Sequence, residues 1–206
     1  VGPMLRQAPR DGEAVQLVVR SENVLQPSWM AVTLHTAATG PVRMVLRQRG
    51  TLNELRWEAD DGSHSASRPA SGSVRVRVRA SGLNFRDVLN VLGMYPGQPG
   101  PPGAECAGRV EAVGDDVHDL EVGQRVFGLA PRAMDSVVEA PASMWAPVPS
   151  NVSMLDAAAM PVVFCTALHV LERFADLKEG MHVLVHSAAG GVGLAAIQLA
   201  KQAGAI

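Results

Sequence analysis

Cysteine is nearly missing from this chain. Only Cys106 and Cys165 occur, far apart and without a C-x-x-C pair. That excludes a disulfide scaffold, and both read as small core residues in a reducing compartment. Aromatics are scarce at 4%, with Tyr95 the single tyrosine, which argues against a base-stacking platform for nucleic acid. No charge of one sign dominates. The net charge is −2, too small to steer the chain to nucleic acid or an anionic membrane. Long apolar runs are absent too. The most apolar region, Ala157 to Leu171, is short for a membrane span and contains Pro161 and His169. No basic segment followed by an apolar one opens the chain, so no signal peptide is read and a cytoplasmic location is expected. Val1 in place of an initiator methionine reads as a partial chain.

What is present suits a globular protein: 206 residues, 47% hydrophobic and 18% charged. Residues 1–39 are the least readable, with one strand expected at Ala14 to Arg20. Val42 to Leu46 and Leu52 to Glu58 read as a hairpin around Arg49-Gly50. Residues 60–73 are a polar loop. Val74, Val76 and Val78 then alternate with Arg75, Arg77 and Arg79, a period-2 strand whose arginine row is expected to be a solvated face. Strands are expected at Cys106 to Val113 and Arg125 to Leu129, with turns at Gly114-Asp115-Asp116 and Glu121-Val122-Gly123. This β-rich part reads as a compact barrel. Beyond Pro149 the character becomes helical. Ser153 and Asp156 start one helix, Pro161 interrupts it, and Thr166 to Phe174 form a second.

The most informative stretch is His186-Ser187-Ala188-Ala189-Gly190-Gly191-Val192-Gly193. Met181 to Val185 before it reads as a buried parallel strand. Leu194 to Ala203 after it reads as a helix that Gly204 ends. Strand, glycine turn and helix together make a phosphate cradle: glycines admit backbone close to a pyrophosphate, and the helix start offers free N–H groups. Ala195, Ala196, Ala200 and Ala203 let the helix lie close to a sheet.

Several runs carry a family resemblance. They are Gly82-Leu83-Asn84-Phe85-Arg86-Asp87-Val88-Leu89, Leu92-Gly93-Met94-Tyr95-Pro96-Gly97, Pro102-Gly103-Ala104-Glu105-Cys106-Ala107-Gly108, Gly123 to Gly128, and Pro161 to Ala167. In order and spacing the chain resembles the medium-chain dehydrogenase/reductase superfamily, and within it the enoyl reductase domain of a modular polyketide synthase. The resemblance implies a mixed α/β fold: a GroES-like β-rich barrel over residues 40–160, then the first β-α unit of a Rossmann domain, a doubly wound parallel sheet, over 161–206. Residues 1–39 would be the tail of a preceding synthase region. The implied activity is NADPH-dependent reduction of an α,β-unsaturated thioester tethered to an acyl carrier protein, among neighbouring synthase domains, with a homodimer through the full synthase as one arrangement. A zinc-independent quinone or alkenal reductase of the same superfamily is the alternative. With only one β-α unit, the 206 residues by themselves are expected to be an inactive fragment.

The resemblance also implies site residues. Asn84, Arg86 and Asp87 would face the nicotinamide from the barrel rim; alternatively Arg86 and Asp87 form a salt bridge behind a turn. Phe85 reads as core packing. Tyr95 would deliver a proton to the α-carbon or hydrogen-bond the enolate, or else be a surface aromatic. Thr166 would contact the nicotinamide side or cap a helix. His186 would touch cofactor phosphate or fill the strand end, and Ala189, Gly190, Gly191, Val192 and Gly193 form the cradle. No metal is expected: Ala104 stands where zinc-dependent relatives carry a histidine, Arg86 lies near the position of their cysteine ligand, and no convergent N/S set remains.

Overall fold

Alternation of valine and arginine dictates a two-faced strand, and that strand lies inside the main sheet. The computed structural model describes residues 40–60 and 67–206, with the backbone of two short strands before them. β1 (Gln16–Val19) and β2 (Ser28–Ala31) pair antiparallel, Gln16 opposite Ala31, within a separate unit over residues 1–39. The strand expected at Ala14 to Arg20 is thus present at its middle. The synthase-tail reading of 1–39 and residues 61–66 of the polar loop otherwise lie outside the described residues.

In the second unit, β3 (Val42–Leu46) and β4 (Leu55–Ala59) form the expected hairpin, Leu46 opposite Leu55, with a short 3-10 turn at Leu52–Glu54 between them. A five-stranded antiparallel sheet follows. It contains β5 (Ser73–Ser81), β6 (Glu105–Val113), β7 (Arg125–Leu129), β8 (Val137–Pro141) and β9 (Trp145–Pro147), in the order β8-β5-β6-β7-β9. Val74, Val76, Cys106, Val126 and Trp145 pack as its core. Register shifts at Arg75/Val76 and Val78/Ala80 bend β5 and strengthen the local twist.

The arginine face of β5 is solvated at its Arg79 end but not at Arg75, where alternation suggested water along the whole row. Arg75 is only 4% exposed; its Nη2 lies 3.0 Å from Glu139 Oε2, and its Nη1 donates to the Ser67 carbonyl at 2.7 Å. Arg77 pairs with Glu111. The cause is position. β5 is flanked on both sides, and Glu139 lies directly opposite Arg75 on β8, so neighbouring strands supply carboxylates where water was expected. Cys106 is a core residue as expected, and its thiol is pushed up to about 12, mainly by burial and then by the Glu105 charge. Cys165, also expected inside, is exposed.

The helical part begins with a short helix at Met154–Ala158. Ser153 Oγ accepts from the Asp156 N–H at 3.1 Å and donates to Asp156 Oδ2 at 2.6 Å, so the expected start signal is real. Pro161 does not interrupt this helix. It opens the next one, Pro161–Leu168, where its missing N–H costs nothing. Thr166 therefore sits inside a helix rather than at its start, and the turn at His169–Phe174 is π-helical. With the rim helix α1 (Phe85–Val91) counted first, these two helices are α2 and α3. The last helix, α4 (Gly191–Gln202), forms where expected and closes before Gly204. Met181 to Val185 makes no strand ladder. Its sheet-like contact is with Ile206, whose carbonyl accepts from Val183 N–H at 2.9 Å and whose N–H donates to the Met181 carbonyl at 2.8 Å. A parallel strand is defined by neighbours on its edges, and among the described residues only this two-bond contact serves. No described helix is long and apolar enough to cross a membrane.

Candidate functional site

The run Asn84-Phe85-Arg86-Asp87 starts α1, a seven-residue helix on the rim of the sheet. Asp87 sits in its first turn and is 4% exposed. Its Oδ2 accepts from the Asn84 N–H at 3.0 Å, and its Oδ1 from the Gly103 N–H at 2.9 Å. The carboxylate thus points inward and ties the helix start to the loop before β6. It does not bridge Arg86. Arg86 Nη2 instead donates to the Pro99 carbonyl at 2.8 Å, and its guanidinium lies 5.6 Å from the Tyr95 ring centroid. Phe85, expected in the core, is 74% exposed; on so short a helix the inward face is filled by Asp87, Asn90 and Val91.

Asn84 is half-buried, and its amide is tied to a buried carboxylate. Its Nδ2 donates to Glu105 Oε1 at 2.8 Å, and the other carboxylate oxygen, Oε2, accepts from the Val162 N–H at 2.7 Å. Glu105 is 2% exposed at the start of β6. It therefore joins the loop carrying Asn84 to the first turn of α3. Gly82 makes room for it: any Cβ there would collide with Glu105 Oε1 and come within 2.6 Å of the Ala158 carbonyl. Glu105 was not among the expected site residues. The one available signal was a carboxylate placed at the head of an apolar strand, Glu105-Cys106-Ala107, where an unpaired charge is too costly to bury.

Tyr95 follows α1. Its N–H donates to the Leu89 carbonyl at 3.0 Å. Its own carbonyl accepts from Arg49 Nη2, and the ring lies against Arg86. Among the described residues nothing hydrogen-bonds the hydroxyl. The ring is held and the phenol tip is left available to a proton acceptor.

The glycine turn is built as a cradle. The Gly190 N–H donates to the Ser187 carbonyl at 2.9 Å, closing the turn ahead of α4. Ala189, Gly190, Gly191 and Val192 are exposed around the helix start, where α-helical geometry leaves N–H groups without acceptors. The donors and the lack of side chains at Gly190 and Gly191 suit a pyrophosphate. Gly193 differs from the others. It is buried, and a Cβ there would lie 2.5 Å from the Ser187 carbonyl oxygen and 2.7 Å from Ala188 Cα. It lets α4 pack on the turn. A Cβ on Gly191 would lie 3.0 Å from Val163 Cγ1, so the cradle also adjoins the start of α3. Asn84, Glu105, Val162–Val163 and the glycine turn thus form one chain of contacts. Thr166 and His186 are exposed on α3 and at the turn's entrance; no described hydrogen bond ties either side chain to this set. No three His, Cys, Asp or Glu side chains converge among the described residues.

The chain is similar to known proteins in sequence and fold. Residues 70–144 match the alcohol dehydrogenase GroES-like domain. Erythronolide synthase EryA2 of Saccharopolyspora erythraea is 42% identical over 92% of the chain, which covers 5% of that synthase. The CurK enoyl reductase crystal structure is 36% identical with a TM-score of 0.74, over 80% of this chain and 52% of that one. A mycobacterial protein solved in complex with NADPH is 32% identical with a TM-score of 0.68, over 81% of this chain and 51% of that one. The chain thus spans about half the length of the solved relatives and a small part of the synthase. With its mixed α/β fold and GroES-like sheet, it belongs to the medium-chain dehydrogenase/reductase superfamily of oxidoreductases, on the branch that includes polyketide synthase enoyl reductases.

Proposed function

We propose that the chain carries the barrel and the start of the nucleotide domain of an enoyl-thioester reductase, acting on acyl chains tethered to an acyl carrier protein amid neighbouring synthase domains. NADPH, when bound, supplies hydride for the β-carbon of the α,β-unsaturated thioester. The residues for holding it are the N–H groups at Gly191 and Val192, in the turn formed by Ala189 and Gly190, with His186 and Thr166 on the same half. Asn84, its amide fixed by Glu105, faces the nicotinamide from the barrel side. Arg86 and Asp87 support that wall, the first by holding Pro99 and Tyr95, the second by fixing the helix start.

Hydride addition leaves negative charge on the thioester oxygen, and the α-carbon needs a proton. Tyr95 supplies it. The carrying observation is the tyrosine itself: its backbone is held by Arg49 and Leu89, its ring lies against Arg86, and the hydroxyl has no described partner. A phenol hydroxyl is a proton donor that can serve as a general acid when its acceptor is within reach. The test is Tyr95→Phe in a reductase carrying this chain, assayed with an α-methyl-substituted enoyl thioester. The expected result is a turnover loss of ~10²–10⁴-fold or an altered α-carbon configuration, with the NADPH KM unchanged. Unchanged rate and configuration would remove Tyr95 from the chemistry. Reduction of quinones in preference to enoyl thioesters would favour the free-standing reductase.

A further inference from the structure

We propose that Arg49 is a positioning residue for Tyr95, and through it decides which face of the α-carbon receives the proton. The inference rests on the reading of Tyr95 as the proton donor. Arg49 lies 46 residues before Tyr95, in the turn between β3 and β4. Its guanidinium reaches three carbonyls of one segment. Nε donates to Asn90 at 3.0 Å, at the end of α1; Nη1 donates to Gly97 at 2.8 Å; Nη2 donates to Tyr95 itself. The adjacent Gly50 N–H adds a bond to the Val91 carbonyl at 2.7 Å. The donors of one planar fork therefore fix the backbone on both sides of the tyrosine and at its helical root.

The rest of the loop is braced from the other side. Asn90, buried, donates from Nδ2 to the Gly100 carbonyl at 2.8 Å. Arg86 binds the Pro99 carbonyl and lies against the Tyr95 ring. These contacts fix the backbone from which the Tyr95 ring projects, and Arg86 lies against one side of that ring. A cleft of about 710 Å³ beside the following loop, lined by Arg49, Asn90 and Gly97–Pro101, gives that loop room to shift when Arg49 is lost. Lysine cannot replace the fork, because a single ammonium cannot span carbonyls spread along the segment. Proton delivery depends on an aligned donor, and an ångström of misplacement costs about 10²-fold.

In a reductase carrying this chain, incorporation of 3-fluorotyrosine gives a ¹⁹F resonance for Tyr95, the one tyrosine of these 206 residues, identified by its loss in Tyr95→Phe. That protein is compared with its Arg49→Lys and Arg49→Met variants, with circular dichroism showing that each is folded. The expected result is a displaced Tyr95 resonance in the parent, moving toward the free amino acid position in both variants. In a reductase carrying this chain, both variants slow proton delivery by about 10²-fold, or scramble the α-carbon configuration, with NADPH KM retained. An unmoved ¹⁹F resonance in both variants overturns the proposal. So does an unchanged product configuration and rate in the Arg49 variants when Tyr95→Phe alters them, which leaves the Tyr95 reading standing. If neither Tyr95→Phe nor the Arg49 variants affect the product, both fall.

Discussion

Exchanging the amide of Asn84 and the carboxylate of Glu105 probes the link between the two halves of the site. Glu105 Oε1 accepts from Asn84 Nδ2 and Oε2 from the Val162 N–H, at 2.8 and 2.7 Å, with 2% exposure. Glu105→Gln keeps the shape but turns one acceptor into an NH₂ donor. Val162 offers only a backbone N–H, so the glutamine oxygen must face it, and the NH₂ meets the Asn84 amide. Asn84 then either flips or loses its bond. A hydrogen bond to a charged group contributes about 1.5–3 kcal/mol, so the single change is expected to cost about 1–3 kcal/mol. Asn84→Asp places two carboxylates face to face and is expected to cost at least as much. When the two substitutions are combined, the introduced aspartate accepts from the introduced NH₂ and both bonds return. In urea unfolding the double variant should recover most of the loss, a coupling of about 1–3 kcal/mol. At this chain length each kcal/mol moves Tm by about 2–4 °C. Purely additive losses would show that Glu105 does not couple Asn84 to α3.

Gly193→Ala is expected to destabilise α4 by about 1–3 kcal/mol, because its Cβ would press on the Ser187 carbonyl oxygen at 2.5 Å and on Ala188. Hydrogen exchange should localise the damage to 187–203 and spare the five-stranded sheet; equal loss in the sheet would contradict the packing role. Thiol labelling at pH 8 should modify one cysteine, the exposed Cys165, and reach Cys106 only on unfolding. Burial raises the Cys106 thiol in the folded state to about 12 from 9.0. A raised folded value means its contribution to stability is complete below pH 9 and is lost as pH rises from there to about 12. A Cys106→Ala variant should therefore show a different alkaline stability slope in that window; an identical slope would refute the assignment.

The sheet was legible because its strands obey short rules. Period-2 valines mark β5, and glycine turns bound β6 and β7. The fate of the arginines on β5 was not legible, since it depends on Glu139 and Glu111 arriving from other strands. Pro161 reads as a break although it opens α3: proline is tolerated at a helix start and disfavoured inside, and the sequence does not say which applies. Phe85 and Cys165 look apolar in composition but stand on outward helix faces. The glycine turn was legible in type, yet the packing of Gly193 against that turn needed the distance to Ser187. At the site, Asn84, Arg86, Asp87 and Tyr95 stand out as neighbouring runs. Their supports, Glu105 and Arg49, lie 21 and 46 residues from the groups they hold, beyond any local pattern.

Hydride delivery to an enoyl thioester is read out by incubating a reductase built on this chain with NADPH deuterated at C4 and a 2-methylcrotonyl thioester, then locating the label. Deuterium is expected at the β-carbon, with a solvent-derived proton at the α-carbon and a scrambled or slowed α-protonation in Tyr95→Phe. NADPH oxidation without β-carbon label, or reduction of a quinone while the thioester is left unreduced, would contradict that delivery.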